Sequence, residues 1–352
     1  MIDNLSIIRY NLLKSIYVYS FGGNMKVTIN DIVKQSGLSY VTVSKAIRNH
    51  PSVKEENRLK VMDAMKTLGY VPSAAARTLV TGKTNVIAVM ISDLGDGFYD
   101  SIIEALNREF FNNGYLVTLS ICKEDDRENI AFLEQKRVDG VIIMAPFKEK
   151  LFAQVLEEQK VPYLIIDNQT ADFGSYSILS DNEEGGYIAA KYLLDIGLKK
   201  IGLIGGEKAS SSTQDRYKGA LKALKDARTE PYCTKYGHYD QPTGYNTIKE
   251  WVKKEQVPEA VFAFDDHIAL GAINALKDCG LRVPQDVSVI GYDDSILANH
   301  YQPQITSIKQ PAEKMAKKAV DELLRLLEGK EKPTGNAKMV PALCIKESTK
   351  NN

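Results

Sequence analysis

Residues 28–47 read TINDIVKQSGLSYVTVSKAI, and this stretch decides the fold of the N-terminal part of the chain. A short helix is predicted over residues 29–35, with one apolar face. Gly37 lies where a tight turn between two helices needs a positive φ. A second helix is predicted over residues 40–47. Two short helices joined by a glycine turn are typical of a helix-turn-helix.

Both helices have a predicted N-cap, and the second has a polar outer face. Thr28 and Ser39 precede the two helices and carry the hydroxyl that an N-cap needs. The outer face should hold the hydroxyl, cationic and apolar groups that suit a DNA major groove. That face comprises Tyr40, Val41, Ser44, Lys45 and Arg48. A three-helix bundle with a polar surface fits the same pattern, so the residues alone leave both interpretations open.

A third helix is predicted after Pro51. Ser52 and Glu55 have the spacing of a capping box, which marks the start of a helix. The apolar residues that follow at helical spacing should be buried in the head. They are Leu59, Met62, Met65 and Leu68.

Charge is unevenly distributed along a chain whose net charge is 0. Residues 26–82 contain nine Lys or Arg and four Asp or Glu, which gives this segment a net charge of +5. The remainder after residue 82 is acidic. A basic module on an acidic body favours a polyanionic partner at one end of the molecule.

Residues 1–24 lack the cationic start and apolar core of a secretory signal peptide. We expect them to be a disordered N-terminal extension, with Met25 as the physiological start. The four cysteines have no paired spacing, so they are interpreted as small hydrophobic residues in a reducing cytoplasm. No stretch of residues is long and apolar enough for a membrane span, and no metal or cofactor site is expected.

Residues 71–84 are predicted to be a linker. The run Pro72–Leu79 is rich in alanine, and a helix of eight residues is marginal alone in water. The segment should therefore become helical only when a partner stabilises it. An Ala-rich linker without that role is the alternative.

From residue 85 onward, apolar runs alternate with amphipathic helices, the first of them near residues 99–112. Runs that are apolar throughout predict strands buried on both faces, as in parallel sheets covered by helices. The predicted strands are 86–91, 115–121, 140–144, 163–166, 201–204, 260–264 and 287–290.

Acidic residues follow several of these strands. Ligands of parallel sheets bind beyond the carboxyl ends of the strands, and carboxylates there accept hydrogen bonds from sugar hydroxyls. The candidates are Asp93, Asp167, Asp265, Asp266, Asp293 and Asp294, together with Arg216 as a donor. Asp265 or Asp266 could instead cap the helix that follows.

The sequence resembles the lactose-repressor (LacI/GalR) family over essentially the whole chain from Met25. The matching residues include Val27–Val33, Ser36–Ser39, Thr42–Lys45, Leu68–Ser73 and Ala76–Leu79 in the first part. Later matches include Asp181–Gly186, Asp215–Gly219, Phe262–Gly271, Gly291–Asp294 and Thr306–Gln310. The part of the chain from residue 85 onward also resembles the periplasmic sugar-binding proteins.

The resemblance implies a DNA-binding set and a ligand set. In the family, the second helix reads the major groove through the two residues after its N-cap, here Tyr40 and Val41. A leucine of the linker wedges between base pairs in the minor groove. The implied DNA-binding residues are Thr28, Ile29, Ser39, Tyr40, Val41, Thr42, Ser44, Lys45, Arg48, Ala76 and Leu79. The implied effector contacts are Phe98, Asp167, Arg216, Asp265 and Asp293, to which the strand-end rule adds Asp93.

Some positions depart from the family pattern. The usual Asn after the second helix is Arg48, and the usual Thr before the third helix's Arg is Asn57. The usual Asn-Pro-Phe-Phe is Asp96–Tyr99, and the usual Asn-Asp is Asp265–Asp266. An extra carboxylate at the ligand cleft would change which hydroxyls are recognised.

These observations predict a helix-turn-helix head and a two-lobed α/β sensor of the periplasmic-binding-protein type, with a parallel sheet in each lobe. We expect a cytoplasmic homodimeric repressor that binds a pseudo-palindromic double-stranded DNA operator and responds to a sugar-like effector. A glycosidase-like enzyme and an extracytoplasmic binding protein are the alternatives. No GxSxG or phosphate-binding loop supports the first, and the head argues against the second.

The expected domains follow from these patterns. The DNA-binding head spans residues 25–70, the linker 71–84 and the sensor 85–352. Lobe 1 takes about 85–180 and 310–338, and lobe 2 about 181–309 and 339–349.

Overall fold

The computed structural model describes residues 27–48, 50–70, 78, 82–92, 97–122, 127–135, 137–144, 149–167, 176–331, 333 and 335–350. The chain divides into two compact units, one ending at Gly82 and the other beginning at Lys83. Among the described residues, no helix has both the length and the apolar character that a membrane crossing needs.

The head contains three helices, α1 (Ile29–Ser36), α2 (Tyr40–Ile47) and α3 (Glu55–Leu68). The predicted caps are confirmed. The Asp31 carboxylate accepts hydrogen bonds from the Thr28 backbone N–H at 2.9 Å and from the Thr28 hydroxyl at 2.8 Å, and the Ser39 hydroxyl accepts from the Thr42 N–H. Gly37 ends α1 with φ +67°. The turn between α1 and α2 therefore has the conformation that glycine provides at least cost.

The expected third helix is present, but two details of it were wrong. Its N-cap is Lys54, which makes no side-chain cap hydrogen bond, so Ser52 lies before the helix; the Ser52 hydroxyl is 2.8 Å from the His50 ring. Leu59 and Met62 are 58% and 59% exposed, since α3 turns a neighbouring face inward. The head core is built from Ile32, Val43, Ala46, Val53, Val61 and Ala64, and the predicted Met65 and Leu68 pack against it.

Lobe 1 is a six-stranded parallel sheet in the order β11-β5-β4-β3-β1-β2. Its strands are β1 (Val86–Ile91), β2 (Leu116–Ile121), β3 (Gly140–Met144), β4 (Tyr163–Ile166), β5 (Ser177–Ser180) and β11 (Ala337–Met339). Its helices are α4 (Gly97–Asn112), α5 (Arg127–Glu134), α6 (Glu149–Gln159) and α12 (Ala312–Leu327). Helices α4 and α12 cover one face, with Leu106 and Met315 in the same core as Ile87.

Lobe 2 is a second six-stranded sheet in the order β12-β10-β9-β8-β6-β7, parallel except for the edge strand β12. Its strands are β6 (Ile201–Gly205), β7 (Cys233–Tyr236), β8 (Ala260–Ala263), β9 (Ser288–Asp293), β10 (Thr306–Lys309) and β12 (Ala342–Cys344). Its helices are α7 (Asn182–Asp195), α8 (Ser211–Asp226), α9 (Gln241–Lys253), α10 (Asp266–Asp278) and α11 (Ile296–His300).

The chain crosses between the lobes at three places. It passes from β5 to α7, from β10 to α12, and from β11 to β12. The predicted pair of parallel-sheet lobes is thus observed, and the carboxyl ends of the central strands carry the candidate ligand residues.

Candidate functional site

Arg216 is the most enclosed cation of lobe 2. It belongs to α8 and is 5% exposed. Its Nε donates to the Asn182 side-chain oxygen at 2.8 Å, and its Nη1 donates to the Phe264 carbonyl. The guanidinium lies 3.7 Å from the centre of the Tyr292 ring. The side chain is therefore fixed in one orientation by two hydrogen bonds and a stacked aromatic ring.

Asp293 supplies the counter-charge. Its Oδ1 lies 3.9 Å from Nη2 of Arg216, and both side chains are almost completely buried. Burial is the largest single influence and would lower the pKa of Arg216, but Asp293, Tyr292, Tyr239 and Asp167 together raise that pKa overall. The Gln310 amide donates to the same Oδ1 at 2.6 Å. Asp293 has φ +103°, a strained conformation that these contacts stabilise.

Asp167 and Phe98 are the lobe 1 candidates that lie within the described residues. Asp167 follows β4 directly, has φ +57°, and interacts electrostatically with Arg216 across the cleft. Phe98 lies in the first turn of α4 and is 4% exposed. The structure therefore brings a carboxylate from lobe 1 towards the Arg216–Asp293 pair of lobe 2.

Asp265 has the capping role that the sequence left open. Its Oδ1 accepts hydrogen bonds from the backbone N–H groups of His267 at 2.7 Å and Ile268 at 3.1 Å, at the start of α10. Its side chain is also 3.5 Å from the His267 ring. Capping occupies one carboxylate oxygen of Asp265.

Asp266, which the strand-end rule also selected as a candidate, does not face a ligand in this structure. Asp266 is completely buried. Its Oδ2 accepts from the Ser295 backbone N–H at 2.8 Å, and its Oδ1 accepts from the Ser307 hydroxyl at 2.7 Å. Burial raises the pKa of Asp266 to about 7, although these two hydrogen bonds oppose the shift. Asp266 is a structural group that joins α10 to two other segments of lobe 2.

Asp294 also forms its contacts within lobe 2. Its carboxylate pairs with Lys346 and lies 3.6 Å from Lys309. Its backbone N–H donates to the Ser307 hydroxyl. Asp294 therefore fixes the end of β9, and only its neighbour Asp293 contacts Arg216.

Tyr239 is a candidate cleft residue that the sequence analysis missed. It follows β7, and its hydroxyl is 2.6 Å from the Thr213 hydroxyl. Burial raises the pKa of Tyr239, and the nearby positive charge of Arg216 opposes that shift. The strand-end rule would have selected Tyr239, but β7 reads Cys-Thr-Lys-Tyr and has no apolar run that predicts a strand.

Helix α2 exposes its first two residues to solvent. Tyr40 is 54% exposed and Val41 is 60% exposed. Ser44 and Lys45 are half-buried, and Arg48 is exposed with its Nε bonded to the Ser44 carbonyl. A tyrosine and a valine projecting from a helix start are available for contacts with a groove of DNA.

The other proposed DNA-binding residues of the head lie at helix starts or in the core. Thr28 and Ser39 are N-caps, and Thr42 is 2.9 Å from the Ser39 hydroxyl. Ile29 is partly buried against the head core. Ala76, Leu79 and Asp93 lie outside the described residues, as do residues 1–24 and most of the linker.

The described residues contain no group of three or more His, Cys, Asp or Glu arranged to hold a metal ion. The four cysteines are free thiols, and burial raises the pKa of Cys233 to about 12. A thiol with so high a pKa is protonated and unreactive at neutral pH.

Two family models match the chain. The model described as bacterial regulatory proteins, lacI family, matches residues 28–73. The model described as periplasmic binding protein-like domain matches residues 190–349. The first covers all of α1, α2 and α3, and the second covers most of lobe 2 and the last part of lobe 1.

Curated relatives match over nearly the full length. The HTH-type transcriptional repressor PurR of Vibrio vulnificus is 33% identical over 331 residues, covering 92% of this chain and 98% of the relative. PurR of Edwardsiella ictaluri is 34% identical, covering 91% and 96%. These relatives are transcriptional repressors and not enzymes.

Solved structures agree. The lac repressor dimer bound to operator and the anti-inducer ONPF has a TM-score of 0.81 and 29% identity, covering 92% of this chain and 99% of that one. The complex of the transcriptional regulator CelR with cellobiose has a TM-score of 0.69 and 27% identity, covering 92% and 99%. The head helices, the two-lobed sensor and these relatives lead to one conclusion: the chain belongs to the LacI family and is a DNA-binding transcriptional repressor with a ligand-binding sensor domain.

Proposed function

We propose that this repressor is controlled by a sugar or sugar-like effector bound between lobes 1 and 2. The effector contacts are Asp93, Phe98, Asp167, Arg216, Asp265 and Asp293, and Tyr239 joins them. The observation that carries the proposal is the buried Arg216–Asp293 pair at the carboxyl end of β9. The negative charge of Asp167 in lobe 1 also acts on Arg216.

The chemistry of this edge supports a polyhydroxyl ligand. Asp293 and Asp167 are acceptors for ligand hydroxyls, while the Tyr239 and Thr213 hydroxyls can donate or accept. Phe98 adds an apolar ring. Clefts lined by apolar rings with a few fixed polar groups are the usual form of small-molecule sites. A solved structural neighbour, CelR, was determined as its cellobiose complex.

The DNA contacts are proposed for the head and the linker. They are Thr28, Ile29, Ser39, Tyr40, Val41, Thr42, Ser44, Lys45 and Arg48, together with Ala76 and Leu79. The repressor acts in the cytoplasm as a homodimer on a pseudo-palindromic operator, since two heads match two half-sites. The head spans residues 25–70, the linker 71–84 and the sensor 85–352.

Effector and operator affinities are linked. An effector that binds one state of the two lobes better shifts the population towards that state, and DNA must change effector affinity by the same factor. Repression is relieved or strengthened according to which state the effector prefers.

The test is operator binding by the full chain with and without candidate effectors. An operator is first selected from random DNA, and its affinity is then measured by fluorescence anisotropy with neutral sugars, sugar phosphates, nucleobases and nucleosides. A sugar that changes operator affinity by about fivefold or more, as coupling of about 1 kcal/mol gives, supports the proposal. A response to nucleobases alone contradicts it.

Two matched variants separate the two sites. Asp293→Asn should remove the response to the effector while keeping operator binding. Tyr40→Ala should weaken operator binding while keeping effector binding, measured by calorimetry. A variant Asp293→Asn that responds as the parent does would show that the effector binds elsewhere.

A further inference from the structure

The facing edges of the two lobes meet at Gly97 and Ser295. Gly97 is the first residue of α4 in lobe 1, and Ser295 lies between β9 and α11 in lobe 2. A Cβ added to Gly97 would lie 2.5 Å from the Cβ of Ser295 and 3.5 Å from its Cα. Carbon atoms in contact are about 3.5–4.0 Å apart. The two lobes approach this closely because residue 97 has no side chain.

Ser295 cannot easily move aside. It is 4% exposed, and its backbone N–H donates to the Asp266 carboxylate at 2.8 Å. The same carboxylate accepts from the Ser307 hydroxyl in β10. Ser295 also caps α11 through its hydroxyl, which accepts from the Ala298 N–H. The serine is thus fixed to α10, α11 and β10.

The start of α4 is also held in place in lobe 1. Phe98 and Tyr99, the next two residues of α4, are 4% and 6% exposed. Their rings are 5.8 Å apart and belong to the lobe 1 core. The start of α4 therefore moves with lobe 1, and any added volume at residue 97 must be accommodated by movement between the lobes.

We infer that Gly97 and Ser295 form a closure stop, which sets how far the two lobes can close, and that Asp266 is the positioning residue that holds Ser295 in place. The stop acts on the same interlobe movement that the proposed effector response uses. The inference rests on the proposed function only for its regulatory consequence, because the stop itself forms in the protein without bound ligand or DNA.

The test measures the distance between the lobes in the full chain without effector and DNA. Spin-labelled non-natural amino acids are placed at Glu104 in α4 and at Lys208 after β6, both exposed. Pulsed dipolar spectroscopy then gives the distance distribution. Gly97→Ala should lengthen the mean distance by about 1 Å or more, since a contact of 2.5 Å must relax towards about 3.5–4.0 Å.

Rescue separates a stop from a general loss of stability. Adding Ser295→Gly to Gly97→Ala removes the opposing Cβ and should restore the parent distance. Asp100→Ala, an exposed change three residues along α4, is the matched control and should leave the distance unchanged. Gly97→Ala with the parent distance, or a double variant without rescue, would overturn the inference.

Two further variants keep the test decisive if Gly97→Ala does not fold. Ser295→Gly alone should shorten the mean distance, because it enlarges the space opposite Gly97. Asp266→Ala should broaden the distribution, whereas Asp266→Asn retains an acceptor for the Ser295 N–H and should keep the parent distribution. Unchanged distributions in both Ser295→Gly and Asp266→Ala would also overturn the inference. Because this experiment uses no ligand, its outcome does not depend on whether the protein responds to a sugar, so the stop and the effector response are tested separately.

Discussion

Helix α2 of the head and the carboxyl ends of the central lobe 2 strands both carry polar side chains, but in opposite states of burial. Tyr40 and Val41 are more than half exposed, and the hydrogen bonds of their helix start are made to near neighbours in sequence. Arg216, Asp266 and Asp293 are buried or nearly buried, and their hydrogen-bond partners lie 17 to 48 residues away in the chain.

Under the proposed function, this difference separates two kinds of recognition in one chain. A groove of DNA is large and approaches an exposed helix, so the contacting side chains can remain solvated until binding. A small ligand must be enclosed, and the groups that bind it must be fixed before it arrives. We therefore expect substitutions at the ligand edge to change both stability and response, and substitutions on α2 to change DNA affinity alone.

The largest expected effect is that of Arg216→Met. It leaves the Asp293 carboxylate buried without its guanidinium and removes the bonds to Asn182 and Phe264, so the free energy of unfolding should fall by roughly 5 kcal/mol. Urea denaturation followed by Trp251, the single tryptophan and a lobe 2 core residue, measures it.

Arg282→Met is the matched control within lobe 2. Its side chain is 71% exposed and pairs with Asp286, so the loss should be far smaller than that of Arg216→Met. Equal losses in the two variants would show that burial does not set the cost of losing an ion pair in lobe 2.

The second effect concerns pH. The pKa of Asp266 is about 7 in the folded chain and about 3.8 when it is unfolded, so the unfolded chain releases this proton first as pH rises. The Asp266 contribution to the free energy of unfolding should therefore decline between about pH 4 and pH 7, by on the order of 4 kcal/mol.

Asp266→Asn should remove that part of the pH dependence. The amide keeps an acceptor for Ser295 and has no proton to release. Urea titrations of parent and variant at several pH values measure the difference between them. Parallel curves over this interval would show that Asp266 keeps an ordinary carboxyl pKa.

The third effect separates binding from stability in the head. Tyr40→Ala with Val41→Ala should weaken specific operator binding by about 1–3 kcal/mol for each base that the head no longer recognises. The free energy of unfolding should change by no more than about 0.5 kcal/mol, as for an ordinary surface substitution. Gln35→Ala, an exposed change on α1, is the control for anisotropy and melting. A destabilised double variant would mean that α2 needs these side chains for packing.

The smallest effect is expected on the outer face of α3. Leu59→Gln and Met62→Gln should each change the free energy of unfolding by less than about 0.5 kcal/mol, because both side chains are more than half exposed. Val61→Ala, between them and 1% exposed, should cost about 2 kcal/mol. Circular dichroism melting of the three variants measures these changes in the free energy of unfolding. A larger loss of stability at Leu59 than at Val61 would contradict the prediction.

Sequence patterns predicted the structure correctly where it depends on a few adjacent residues. Thr28, Gly37 and Ser39 gave the ends of α1 and α2, because caps and positive φ depend on a few adjacent residues. Half of the predicted inner face of α3 was right, since Met65 and Leu68 pack against the head core. Leu59 and Met62 were wrong, because the close packing of three short helices buries the smaller Val61 and Ala64 instead.

In the sensor, apolar strands such as β1, β3 and β8 were predictable because both of their faces are buried. Strands β5, β7 and β10 have polar residues and depend on partners far along the chain, so no local pattern marks them. The role of Asp266 was hidden for the same reason. An aspartate after a strand looks the same in sequence whether it faces a ligand or accepts from Ser295 and Ser307.

The crossovers between the lobes have a consequence for synthesis of the protein on the ribosome. Helix α12 supplies Met315, Val320 and Leu323 to the core that contains Ile87 and Val89 of β1. The head helices, by contrast, end at Leu68 and have all their core residues available early in translation. Nascent chains therefore carry a complete head long before lobe 1 can close its core, and during that interval its apolar sheet lacks a covering helix. A premature stop codon before residue 312 would remove part of the lobe 1 core while leaving the head intact.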